Sequence, residues 1–120
     1  MFMQNRILHE FKAGLFQALG HPTRVAIVEI LREGEFSAGA ILESLGLEQA
    51  NVSQHLAVLR AKEIVSSRKE GNQVFYSLKH QMLVELLEIM RQYFMNHLTE
   101  SVELLQALQT EESGASKEKK

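Results

Sequence analysis

Apolar residues return at helical spacing in five stretches of this chain. Between Arg6 and Leu19 they are Ile7, Leu8, Phe11, Leu15, Phe16 and Leu19, which predicts a first helix. Gly20 stops it, and His21-Pro22-Thr23 opens the next element with proline in a first-turn position, where its missing N–H has no helical partner to lose. Val25 to Arg32 then reads as a short apolar helix carrying Val25, Ala26, Ile27, Ile30 and Leu31, ended by Gly34. Ser37 is the expected N-cap of a third helix over Ala38 to Leu45, with Ile41, Leu42 and Leu45 as its apolar members. Gly46-Leu47 follows, and a fourth helix runs from about Gln49 to Lys62 with a buried stripe of Val52, Leu56 and Leu59 at i, i+4 and i+7.

The period then changes. Ile64 to Lys69 and Gln73 to Leu78 are strand-like and flank Glu70-Gly71-Asn72, two of which tolerate positive φ, so the region reads as a β-hairpin with a polar tip and an apolar base. Helical spacing resumes at Met82 and continues through Leu83, Leu86, Leu87, Met90, Phe94, Leu98, Val102, Leu105 and Leu108, roughly seven turns. A helix of that length offers more apolar surface than a small domain can cover, so it is expected to lie against a copy of itself, helped by the first helix. The ending, 111–120, is rich in Glu, Ser and Lys and is expected to be disordered. The predicted organisation is one domain over 1–110 followed by that tail. Its fold class is mostly α with a small β-hairpin, a helix-turn-helix pair followed by a wing.

Composition narrows the chemistry. The 120 residues include no cysteine, which excludes disulfides, thiol nucleophiles, thiolate metal sites and thiol redox switches. No apolar run suggests a membrane span, and Met1 to Arg6 lacks the basic-then-apolar pattern of a secretory signal, so a cytoplasmic location without membrane contact is expected. The net charge of −2 hides an uneven distribution. From Gln49 to Lys79 five basic residues face two acidic ones, a net of +3, whereas from His80 to Glu112 one basic residue faces six acidic ones, a net of −5. Such a split suits one region toward phosphate and another toward a partner or solvent.

With Val52, Leu56 and Leu59 turned inward, Gln49, Ala50, Asn51, Ser53, Gln54 and His55 are candidates for the outward side of the fourth helix near its start. Those side chains suit reading of a DNA major groove. Gln and Asn can bond an adenine edge with two hydrogen bonds, Ser bonds base or phosphate, and Ala fits a thymine methyl. Arg60 at the end of the same helix, and Arg68, Lys69, Asn72 and Gln73 on the hairpin, are candidates for phosphate or minor-groove contact. A solvated helix face and a solvated hairpin are the plainer reading of each element alone. Their unbroken succession is what favours double-stranded DNA as the partner. His55 is divided between phosphate contact and structural support, and His21 is expected to cap or pack.

The chain resembles the ArsR family of bacterial winged-helix repressors in four stretches. They are Ala18-Leu19-Gly20-His21-Pro22-Thr23-Arg24, Ile41 to Leu47, Val52-Ser53-Gln54-His55-Leu56-Ala57-Val58-Leu59-Arg60, and Gly71 to Leu78, within roughly residues 15–80. The resemblance implies a homodimer built from the first and last helices, binding to an inverted-repeat operator, repression, and release by an effector. It departs from the family at Glu48, where a Ser or Thr usually caps the recognition helix; a carboxylate suits the helix dipole but stands near phosphates.

Many members of that family sense metals or oxidants. The stretch Glu35 to Ile41 lacks the family's cysteines, and His80, Met82, Tyr93 and Asn96 stand where another family site requires carboxylates and imidazoles. His97, Glu100 and Glu103 share one helical face and are the weak remaining metal candidates; a solvated face or dimer contact is the simpler reading of them. Neither a cofactor nor an enzymatic activity is expected, since no paired carboxylates, activated nucleophile or phosphate loop stands out. Tyr93 and Phe94 could line a pocket at a dimer interface for an apolar effector, whose identity the sequence leaves open. The rival readings are a winged-helix module that binds proteins and not DNA, and a metal-responsive repressor using His97, Glu100 and Glu103.

Overall fold

The computed structural model describes the backbone of residues 2–118 and the side chains of residues 5–114. The chain divides into two compact units, Met1–Val84 and Glu85–Lys120.

In the first unit, α1 (Phe2–Ala18) precedes α2 (Pro22–Ile30), a 3-10 turn (Leu31–Glu33) and a two-residue strand, β1 (Phe36–Ser37). Then come α3 (Ala38–Leu45), α4 (Gln49–Ala61) and the strands β2 (Val65–Glu70) and β3 (Gln73–Leu78). The local chemistry explains the boundaries. Pro22 opens α2, and Nδ1 of His21 accepts the Thr23 N–H at 3.1 Å as its N-cap, so His21 takes the capping role. Ser37 caps α3 by accepting the Ala40 N–H on Oγ at 3.1 Å. Gly46 ends α3 in the left-handed region (φ +65°), where a side chain would be strained, and this sharp turn lets α4 begin three residues later.

The sheet has the order β1-β3-β2 and is antiparallel throughout. Its hairpin is in the predicted place, with Glu70 opposite Gln73 and Val65 opposite Leu78. Of the two central turn residues only Gly71 has positive φ, at +62°, the glycine-first pattern of a type II′ hairpin. The third strand was not predicted. Phe36 pairs with Tyr76 and Ser37 with Phe75, so the hairpin is extended to three strands by residues that also lead into α3.

The core of this unit gathers Ile27, Val28 and Leu31 with Ile41 of α3, Val52, Leu56 and Leu59 of α4, and Ile64, Val65 and Leu78 at the base of the sheet. The stripe predicted on α4 is therefore the buried one. The face predicted on α1 is not covered in the same way: Leu19, just past its end, is buried, but Ile7, Leu8, Phe11 and Phe16 are exposed.

The last helix, α5 (Met82–Glu118), carries the chain from the first unit into the second. Its helical hydrogen bonding continues through residues 111–118, where the sequence predicts a disordered tail; Lys119 and Lys120 lie outside the described residues. Met90, Phe94, Leu98, Val102, Leu105 and Leu108 are exposed along it. No helix among the described residues is long and apolar enough to cross a membrane.

Candidate nucleic-acid interface

The first two turns of α4 present Gln49, Ala50, Asn51, Ser53 and Gln54 as exposed side chains, while Val52, Leu56 and Leu59 anchor the opposite side. One amphipathic helix thus supplies both the anchor and the polar face. Arg60 is exposed in the last turn. Glu48 occupies the N-cap position with extended backbone and makes no capping hydrogen bond through its side chain, which leaves the first N–H groups of α4 without that partner.

His55 departs from the outward expectation. It is buried, its ring 4.1 Å from that of His21, and Nδ1 accepts from Nη1 of Arg24 at 3.2 Å. Arginine cannot accept, so the imidazole must be neutral with its proton on Nε2. The same guanidinium donates to the carbonyls of Ala18 and Gln17 at the end of α1. His55 thus lies on the buried side of α4, which favours the structural half of its divided expectation. Arg24 thereby ties the end of α1 to α4.

Burial is the largest influence holding the His55 pKa below its ordinary 6.5, followed by the charges of His21 and Arg24. Among the described residues no carboxylate pairs with any of the three. A depressed histidine pKa gives stability that is full above about 6.5 and is lost as pH falls through the lower folded value. Thermal unfolding midpoints measured from pH 7.5 to 5.5 should therefore decline, and His55→Gln, which keeps an acceptor but does not titrate, should flatten that decline. An identical slope in the variant would show that the acid sensitivity lies elsewhere. Glu35 and Glu63, whose pKa values are lowered chiefly by hydrogen bonds from Arg68 and Lys79, lose their contribution only further into acid, below about 4.5.

On the hairpin, Lys69, Asn72 and Gln73 are exposed as the sequence suggests. Arg68 is also exposed but already engaged. Its Nε and Nη2 donate to the two oxygens of Glu35 at 2.8 and 2.6 Å, and Nη1 donates to Glu70 at 2.6 Å. The guanidinium carbon also stands 4.7 Å from the centre of the Phe75 ring. Two carboxylates thus meet the one positive charge of Arg68, and its pKa is raised by those bonds. Among the described residues neither Arg60 nor Lys69 forms an ion pair.

His97, Glu100 and Glu103 are exposed on α5. Among the described residues no group of three or more His, Asp or Glu side chains is placed to hold a metal ion. Tyr93 and Phe94 are exposed. A recess of about 150 Å³ lined by Glu10, Phe11, Gly14, Leu15 and Lys62 falls short of the ~300–1,000 Å³ usual for small-molecule sites.

Comparison with known proteins agrees with this architecture. Residues 21–67 match the bacterial regulatory protein, arsR family. The HTH-type transcriptional regulator Rv0081 of Mycobacterium tuberculosis is 38% identical over 107 residues, 88% of this chain and 94% of that protein. Its crystal structure matches with a TM-score of 0.72, covering 79% of this chain and 96% of that one. The biofilm growth-associated repressor of Xylella fastidiosa is 38% identical over 82 residues, 68% of this chain and 72% of that protein. A solution structure of the homodimeric winged helix-turn-helix DNA-binding domain Mb0332 from Mycobacterium bovis is 25% identical, with a TM-score of 0.70 over 78% of this chain and 86% of that one. These relatives are transcriptional regulators or a DNA-binding domain, not enzymes. This chain belongs to the arsR family of bacterial regulatory proteins.

Proposed function

We propose that this protein is a cytoplasmic transcriptional repressor that binds an inverted-repeat operator as a homodimer, with α4 of each copy in the major groove. The observation that carries the proposal is the exposed cluster Gln49, Ala50, Asn51, Ser53 and Gln54 at the start of a helix whose other side is fixed in the core. The early turns of a recognition helix reach base edges, and these side chains offer the required donors, acceptors and methyl contact. Lys69, Asn72 and Gln73 on the hairpin, with Arg60 at the end of α4, serve the phosphates. A two-fold dimer sets its two helices about 34 Å apart, one turn of the duplex.

A second copy would cover apolar side chains that each helix leaves exposed among the described residues: Phe11 of α1 is 70% and Phe94 of α5 56% exposed. The homodimeric state of the Mycobacterium bovis relative supports the same assembly. The proposed mechanism uses neither thiols nor metal, and its DNA-binding part needs no cofactor.

The test is a mobility-shift titration of the DNA segment preceding the protein's own gene, beside a random duplex of equal length. A lost bidentate base contact weakens binding by about 1–3 kcal/mol per site. The double variant Asn51→Ala, Gln54→Ala should therefore lose on the order of a hundredfold or more on the operator while changing little on the random duplex. Equal losses on both duplexes would remove α4 as the reader. A parent protein that binds neither duplex would favour a winged-helix module for protein partners, to which the compensated charge of Arg68 and the acidic Glu48 lend some support.

A further inference from the structure

We propose that Arg68 secures the wing to the start of β1 and does not contact DNA, while Glu35 and Glu70 make this three-residue cluster repel phosphate. The inference rests on the DNA-binding reading above and adds a set of residues that tune the affinity of the same surface.

The geometry follows from the strand order. Arg68 lies on β2 opposite Phe75 of the central strand, and Glu35 directly precedes β1 on the far side of that strand. The arginine side chain crosses over the Phe75 ring to reach Glu35, so one residue spans all three strands. Glu70, two positions along β2, is on the same face of the strand as Arg68 and closes the other end of the guanidinium. Three of the five guanidinium N–H groups are thereby used. A paired carboxylate fork fixes both the position and the plane of the group, which a lysine could not do.

Electrostatics decides what the cluster does at a DNA surface. One positive charge and two negative charges leave it at −1, and adding Lys69 brings the wing segment only to zero. A phosphate approaching Arg68 meets two carboxylates within 3 Å of the same guanidinium. Exchanging them for phosphate would break three short charge-assisted bonds while leaving Glu35 and Glu70 close to the backbone. The cluster contributes wing placement, and the attraction falls to Lys69 and the residues of α4.

The experiment compares the parent, Glu35→Gln and the triple variant Glu35→Gln, Arg68→Gln, Glu70→Gln on the upstream segment and the random duplex, from ~0.05 to 0.3 M salt. Each phosphate neutralised by a protein cation contributes about 0.9 to the slope of log affinity against log salt. Removing the whole cluster should leave that slope within about 0.3 of the parent, because the cations that meet phosphate remain in place. Glu35→Gln alone should bind about threefold or more tightly at the lowest salt, because it removes one like charge where screening is weakest. All three side chains are exposed, so thermal midpoints of the variants provide the check that each is folded. A triple variant whose slope drops by about one, or a Glu35→Gln protein that binds no better than the parent, overturns the inference and leaves the DNA-binding reading standing. A folded parent that binds neither duplex defeats that reading, and this inference with it.

Discussion

Leu59→Ala should lower the thermal midpoint by 10 °C or more, the largest stability effect expected of any substitution on α4. Leu59 is wholly buried, as are the stripe residues Val52 and Leu56 and, at the base of the sheet, Ile64 and Val65. Truncating a leucine in such a place costs roughly 2–5 kcal/mol, since the lost transfer energy is joined by that of the cavity left behind. For a folding unit of 84 residues each kcal/mol corresponds to roughly 4–8 °C. Val58→Ala supplies the control. It adjoins Leu59 in sequence but is 36% exposed, and its substitution should have a much smaller effect. Both proteins must be compared at one concentration, because assembly into dimers raises the apparent midpoint. A shift below about 3 °C for Leu59→Ala would mean that α4 is not held by its apolar stripe, and its polar face would then not be fixed by the core.

The largest effect on binding should come from two residues far from any base. The variant Leu98→Glu, Leu105→Glu places two like charges on the exposed apolar side of α5, seven residues apart and therefore on nearly the same helical face. Glutamate is a good helix former, so the helix itself tolerates the change. A copy covering that face would bury four carboxylates in each dimer with no stated partner, which several kcal/mol of apolar contact cannot offset. Sedimentation should show a monomer where the parent is a dimer. Operator affinity should fall on the order of 10²–10⁴-fold, because the second half-site is no longer delivered by the first. Both substitutions lie in the Glu85–Lys120 unit, so the far-ultraviolet spectrum and the unfolding of the winged unit provide the check that the loss is one of assembly. A variant that remains dimeric would move the interface away from this face of α5, and a monomeric parent would remove it altogether.

What could be read in advance was what local chemistry decides. The cap at Ser37, the turn at Gly46, the hairpin at Gly71 and the stripe Val52, Leu56, Leu59 depend on residues within one or two turns of each other. His55 shows a signal that was present and under-used: it stands at i+3 from Val52 and beside Leu56, so the helical period already assigned it to the buried side. The remaining corrections are non-local. β1 is two residues long, too short for an alternating pattern, and exists because Phe36 and Ser37 meet Tyr76 and Phe75 about forty positions away. The Arg68–Glu35 pair joins residues 33 positions apart, and nothing in either segment announces the other. For α1 the periodicity located an apolar face correctly, but a stripe shows only that a side wants cover and not that its own chain supplies it.

The three-stranded sheet carries one further consequence. Only β3 has neighbours on both sides, so β1 and β2 each present a row of backbone N–H and C=O groups to which a foreign strand could add. The two edges are protected by different means. β1 ends after two residues, too few to template a ladder. β2 runs for six, and its second half is Arg68-Lys69-Glu70, three exposed charged side chains in succession. An incoming strand would have to desolvate that charge to pair with it, so the residues that set the wing's charge also keep the sheet from growing into an aggregate. Lys69 remains charged when the other three positions are made neutral, so this protection is reduced in that variant but not removed.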